Sequence, residues 1–175
     1  MPMIDVYASS DLLPSGSDRR IGEELTRAVL RAEGVKSPGA FHLENTAAFI
    51  HRMEPAMVQT AAHAVARTIR VQIITAPGAL SRSGQKQLVQ DVTTILADIC
   101  ADPSQATRTW VLLTEAAEGG WGIAGAAFGR EEFAALAASG CSGGRSLRLG
   151  GTSARVRVDG HALGAWRLSR IAAVA

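Results

Sequence analysis

Apolar positions along this chain follow two rhythms, and each occurs twice. Residues 3–8, MIDVYA, alternate as a short strand does. The turn-rich SSDLLPSGS follows, and then DRRIGEELTRAVLRAEG places Ile21, Leu25, Ala28, Val29 and Ala32 on one helical face. Ser17 suits the start of that helix and Gly34 its stop. A shift of 67 residues carries Ile4 and Val6 onto Val71 and Ile73 of a second strand, RVQIIT. The same shift carries the five helical positions onto Leu88, Val92, Ile95, Leu96 and Ile99 of GQKQLVQDVTTILADIC, after another long polar connection, APGALSRS.

A further strand candidate follows each helix: FHLENTAAFIHRM after the first and TWVLLTE after the second. A strand, a helix crossing over it and a parallel return strand make a β-α-β unit. The predicted fold class is therefore α/β: two tandem β-α-β units forming a four-stranded sheet with both helices on one face. The centre of TAAFI and all of WVLL are apolar on both sides, as a doubly covered sheet requires. Helices cover only one face, so other subunits are expected to cover the second, and the chain is expected to be an oligomer.

Beyond Glu115 the glycines around Trp121 predict a hairpin-like turn, and REEFAALAAS predicts a short helix. Residues 1–140 are thus expected to form one domain, with unit one at about 1–66 and unit two at about 67–140. Residues 141–175 form a Gly/Ser/Arg-rich C-terminal extension, readable as an extra hairpin or a basic tail. Charge divides the same way. Residues 1–140 carry 12 Lys+Arg against 15 Asp+Glu, a net −3, and residues 141–175 carry 6 Arg against Asp159, a net +5.

Composition narrows the chemistry. Aromatic residues are only 5% of the chain, and no nucleic-acid motif or stacking platform accompanies the basic tail, so no nucleic-acid partner is expected. No apolar run reaches the length of a membrane span and no signal peptide is apparent; no membrane partner is expected, and the expected location is cytoplasmic. Cys100 and Cys141 fall in no metal-ligand spacing. GGWGIAGAAFG follows a strand into a turn without the lysine or helix start of a phosphate cradle, so neither nucleotide nor metal is expected.

The opening MPMIDVYA, with proline behind the initiator methionine, resembles the start of the tautomerase superfamily, typified by 4-oxalocrotonate tautomerase. GQKQLVQDVTTIL followed by TWVLLTEAAEGGWGIAGAAFG is similar to that family's helix, second strand and glycine-bounded aromatic turn. The likeness covers residues 2 to about 139, and the duplicated layout resembles the double-length members, which include dehalogenases and a decarboxylase. It implies a homotrimer that needs no cofactor and acts on a small carboxylate-bearing substrate.

It also implies a role for Pro2. Removal of Met1, usual before a small second residue, exposes a secondary amine with a rigid ring. An α-amino group titrates near 8, and burial lowers it toward neutrality, where it serves as a general base. The expected activity is keto–enol or double-bond isomerisation of a small 2-oxo acid. A second possibility is hydration, dehalogenation or decarboxylation of a three-carbon acid, with protonated Pro2 as the acid. A third, of another class, is a trimeric binding module with weak catalysis.

The family's carboxylate-binding arginines are not cleanly matched. Arg82 is the nearest candidate after the second strand, and Trp110 occupies the place of the second-strand arginine. Candidate catalytic residues are therefore Pro2, His51 and Arg82, where a neutral His51 would polarise a carbonyl or position a water. Candidate substrate-binding residues are His42, Asn45, Trp110 and Trp121, the last matching the aromatic wall near the proline. Glu44 is a candidate activating carboxylate. Each also suits an ordinary packing or solvent-facing position.

Overall fold

The computed structural model describes residues 2–123, 125–140, 147–148 and 155–156. The chain divides into two compact units, Met1–Ala134 and Ala135–Ala175. In the first, β1 (Met3–Ser9), α1 (Asp18–Ala32), α2 (Ala40–Asn45) and β2 (Ala47–Met53) make one repeat. The other repeat consists of β3 (Ile69–Thr75), α3 (Arg82–Ile99) and β4 (Thr109–Glu115). The sheet order is β2-β1-β3-β4, parallel within each repeat and antiparallel where β1 meets β3. This is the expected class: two β-α-β units in one sheet, with both helices on one face.

The helix-facing side is the core. Ile4, Val6 and Ala8 of β1 and Ile69, Val71 and Ile73 of β3 are buried against Ile21, Leu25 and Val29 of α1 and Leu88, Val92 and Leu96 of α3. Ala32 and Ile95, also expected there, are partly buried against the same cluster. The loops contribute as well. Leu13 and Leu80 are buried, and they too are related by the 67-residue shift, so these connections are less polar than their composition suggests. The helices approach closely at Gly84, where a Cβ would lie 2.9 Å from the Ala32 carbonyl oxygen.

Helix α1 ends in a paired-carbonyl cap: the Gly34 amide donates to Arg31 O and the Val35 amide to Leu30 O, both at 3.0 Å, with Gly34 at φ +80°. Ala101 takes the equivalent place after α3, at φ +51°, with its amide on Asp98 O and the Asp102 amide on Ala97 O. Ser17 does precede α1, but its hydroxyl donates to Pro14 O at 2.7 Å and does not cap the helix amides.

FHLENTAAFIHRM is not one strand. Its first half is the six-residue helix α2, following Gly39, and the extended backbone begins only at Thr46. Ala40, Leu43 and Glu44 favour a helix, and β1 has only seven residues to pair with, which Ala47–Met53 fills. His42, Glu44 and Asn45 are therefore helical residues, and only His51 and Arg52 lie on the strand.

The turn around Trp121 is the expected hairpin, β5 (Trp121–Ile123) with β6 (Ala126–Phe128). Trp121 and Phe128 both pack on Phe133 of α4 (Arg130–Gly140), with ring centroids 6.3 Å and 5.5 Å away. In the second unit, β7 (Leu147–Arg148) pairs antiparallel with β8 (Arg155–Val156). The rest of the expected basic extension, including Cys141, lies outside the described residues, as does Met1.

Candidate active site

Pro2 sits one residue before the first paired position of β1, a central strand, and is buried. Its carbonyl accepts a hydrogen bond from the Ala47 amide at 3.3 Å. The topology gathers other chemistry at this end of the sheet. Strands β1 and β2 begin here and β3 and β4 finish here, while α1 ends here and α3 starts here, since each helix runs back across its strands. Glu33 therefore closes α1 at the same end as Pro2, and Arg82 opens α3 there. Burial raises the Glu33 carboxyl above the ordinary glutamate range, and the positive amino terminus opposes that rise.

Four of the sequence-derived candidates share this end. Asn45 is the last residue of α2, immediately before the Thr46–Ala47 junction beside Pro2, and His42 lies one turn earlier. Arg82 is exposed, with Nη1 donating to Gln85 Oε1 at 3.1 Å. The exposed Glu44 shares the short helix with His42 and Asn45.

His51 and Trp110 are not brought to Pro2 within one chain. His51 pairs in register with Tyr7, five residues along β1, or about 16 Å away. Its Nε2 lies 2.7 Å from Asp5 Oδ1, and its ring stacks on Tyr7 at 4.3 Å. Trp110 pairs with Arg70, which pairs with Tyr7, so it too lies at the far end. All of these sit on the sheet face without helices, where Phe49 is 47% and Trp110 54% exposed. Arg52 is structural and half-buried, not at the site: its guanidinium holds the β1–α1 loop to the start of α1 through Leu13 O, Pro14 O and Asp18 Oδ1, each at 2.8 Å.

Sequence reasoning missed a cleft of about 450 Å³ beside α1 and α2, with Thr46 in its wall and Leu30 and Leu43 as apolar lining. Arg27, Arg31 and Lys36 supply cations to it. The available signal was the i, i+4 spacing of Arg27 and Arg31 on α1. The signal was weak, since such pairs usually mark a solvated face. Arg31 also reaches Asp91 Oδ2 of α3 at 3.5 Å. Among the described residues no group of three His, Cys, Asp or Glu is placed to hold a metal ion, and no helix is long and apolar enough to cross a membrane.

A scan against protein-family models and a search of curated proteins matched nothing. Solved structures do match. A fused 4-OT, a wild-type symmetric trimer, superposes with a TM-score of 0.61 at 16% identity, covering 76% of this chain and 98% of that one. Pt0534, described as inactivated by 2-oxo-3-pentynoate, gives 0.60 at 14% identity, with 74% and 97% covered. N1, a member of the cis-3-chloroacrylic acid dehalogenase family, gives 0.59 at 14% identity, with 77% and 90% covered. At these identities the likeness is one of fold, and it spans both repeats: the chain has the fold of the double-length fused 4-OT structures.

Proposed function

We propose that this chain is a cofactor-independent tautomerase of small 2-oxo acids that uses the Pro2 amine as its general base. The observation that carries the reading is the placement of Pro2: buried, at the start of a central strand, in the double-length 4-OT fold. With Met1 removed, the neutral amine takes the proton from carbon 3 of the oxo acid or from its enol oxygen, and returns it at the other position. A cation must hold the carboxylate and the enolate as charge develops. Arg82, at the start of α3, and Arg27 and Lys36, in the cleft beside Thr46, are the candidates for that task. His42 and Asn45 on α2 are candidates to bind the substrate's polar atoms.

The working assembly is a homotrimer in this reading, with the open sheet face carrying Phe49, Trp110 and Leu112 turned toward neighbouring subunits. The fused 4-OT structures described as trimers support it. In this arrangement His51 and Trp110 reach a site only from a subunit other than the one supplying Pro2.

One observation favours the second reading, in which protonated Pro2 serves as an acid in hydration or dehalogenation. Glu33 lies at the Pro2 end, and a carboxylate beside an amine favours the cation. The pKa of the Pro2 nitrogen separates the two: near or below neutral for the base, well above it for the acid.

Labelling with 2-oxo-3-pentynoate tests the proposal. The amine nitrogen adds to the alkyne carbon β to the ketone, its proton moves to the adjacent carbon, and nothing leaves. The expected product is a protein lacking Met1 that gains one reagent mass, mapped to Pro2. A retained Met1, or a label confined to other residues, overturns the proposal.

A further inference from the structure

Two buried hydroxyls flank Pro2. The β1–β2 register pairs Met3 with Ala47, so one step earlier Pro2 lies alongside Thr46. The β1–β3 register pairs Met3 with Ile74, so Pro2 lies alongside Thr75 on its other side. All three fall on the helix-facing side, by the alternation that puts Ile4, Ala48 and Ile73 there. Thr75 is 0% exposed and Thr46 is 9% exposed. Neither Oγ1 has a hydrogen-bond partner among the described residues.

That arrangement is costly. A hydroxyl buried without a partner loses about 1–3 kcal/mol of hydration. Valine has nearly the same shape and would fill either place without that cost. Strands prefer β-branched residues in general, which accounts for threonine's shape but not for its oxygen. Two such oxygens on either side of one residue call for a ligand at that residue, and Pro2 has none to offer them as an internal residue, because its nitrogen carries no hydrogen. Freed at the amino terminus, the same nitrogen carries one N–H when neutral and two when protonated.

We infer that Thr46 and Thr75 are positioning residues that accept hydrogen bonds from the Pro2 amine, orient its lone pair toward the substrate, and stabilise the ammonium formed when the base has taken its proton. The inference rests on the reading of Pro2 as the working amine. The hydroxyls offset part of the depression that burial imposes on the amine and so keep it basic enough to abstract a carbon-bound proton. Other ionisable groups at this end also act on that charge: Glu33 closing α1, His42 on α2, Arg82 opening α3, Glu115 closing β4, and Arg31 and Lys36 in the cleft. The substitutions below leave all of them in place.

The test is the titration of the Pro2 nitrogen by NMR, together with the pH profile of kcat/KM, in full-length wild type, Thr46→Val, Thr75→Val and Thr46→Ser. Each valine is expected to lower the Pro2 pKa by about half a unit to one unit, the worth of one hydrogen bond. The acid limb of kcat/KM should move to lower pH by the same amount, and Thr46→Ser should restore it. An unchanged or raised Pro2 pKa in both valine variants, with only thermal stability altered, overturns the inference while leaving Pro2 as the base. Failure of that underlying reading appears differently, as no effect of Pro2 on turnover at all.

Discussion

His51 Nε2 lies 2.7 Å from Asp5 Oδ1 across the β1–β2 ladder, and the His51 ring stacks on Tyr7 with an interplanar angle of 7°. Arg70 lies over the other neighbour of this group, its guanidinium carbon 5.1 Å from the Tyr7 centroid. The histidine is thus held by its own chain, on the sheet face opposite the helices and about 16 Å along β1 from Pro2. His51→Gln is expected to leave kcat/KM on a small enol substrate within a few-fold of wild type. A loss comparable to that of Pro2→Ala would show that a neighbouring subunit brings His51 into the site.

The same face supplies a test of assembly. Phe49 on β2 and Trp110 on β4 are large and about half exposed at the two edges of this face, and Leu112 lies two residues from Trp110. Large apolar side chains left exposed on one sheet face point to an interface. Phe49→Glu or Trp110→Glu is expected to convert the proposed trimer to monomer by light scattering, with the helical circular dichroism retained. A wild-type monomer, or a charged variant that stays trimeric, would remove the open face from the interface.

Ala101 holds the left-handed position that Gly34 holds one repeat earlier. An L side chain there costs about 1–2 kcal/mol, partly offset by the entropy that glycine would lose on folding. Ala101→Gly is therefore expected to stabilise the protein by roughly 0.5–1 kcal/mol in urea unfolding, and Gly34→Ala to destabilise it by a similar amount.

Arg52 donates to two loop carbonyls and to the Asp18 carboxylate at the start of α1 with one planar group, a geometry that lysine cannot reproduce. Arg52→Lys is expected to cost about 1–3 kcal/mol of stability and to loosen the β1–α1 loop, read as faster proteolysis between Ser10 and Ser17.

Glu33 carries a pH dependence. Its carboxyl is raised in the folded protein, chiefly by burial, so between the unfolded and folded values the native state binds the extra proton. Stability from this group is full below the ordinary glutamate range and falls as pH rises through the folded value. Glu33→Gln is expected to flatten that decline, so that the difference in Tm between variant and wild type grows in the variant's favour from pH 4 toward neutrality. A difference independent of pH would mean that the carboxyl is not perturbed.

Much of the fold was legible because one pattern occurs twice. Ile4, Val6 and the five positions of α1 have counterparts 67 residues on, and all of them reach the core. The repeat also extends to Leu13 and Leu80 and to Gly34 and Ala101, which composition hid: two leucines inside polar loops, and an alanine where glycine is usual. The split of FHLENTAAFIHRM was not legible, since a six-residue helix is too short for its period to separate from that of a strand. The site was readable only in part. Pro2 and Arg82 stand out by their place in the family pattern and Asn45 by its polarity in an apolar stretch, and topology puts them at one end. Thr46 and Thr75 carry no sequence signal, because a threonine in a strand is ordinary until its register with Pro2 is known.

The central claim is that the Pro2 amine moves the proton. The most direct measurement is kcat/KM for ketonisation of phenylenolpyruvate by wild type and by Pro2→Ala, each confirmed by mass to lack Met1. General-base catalysis contributes about 10²–10⁴-fold, and the account predicts a loss of that size with the oligomeric state unchanged. Equal rates in the two proteins, or no rate above solvent in either, would contradict it.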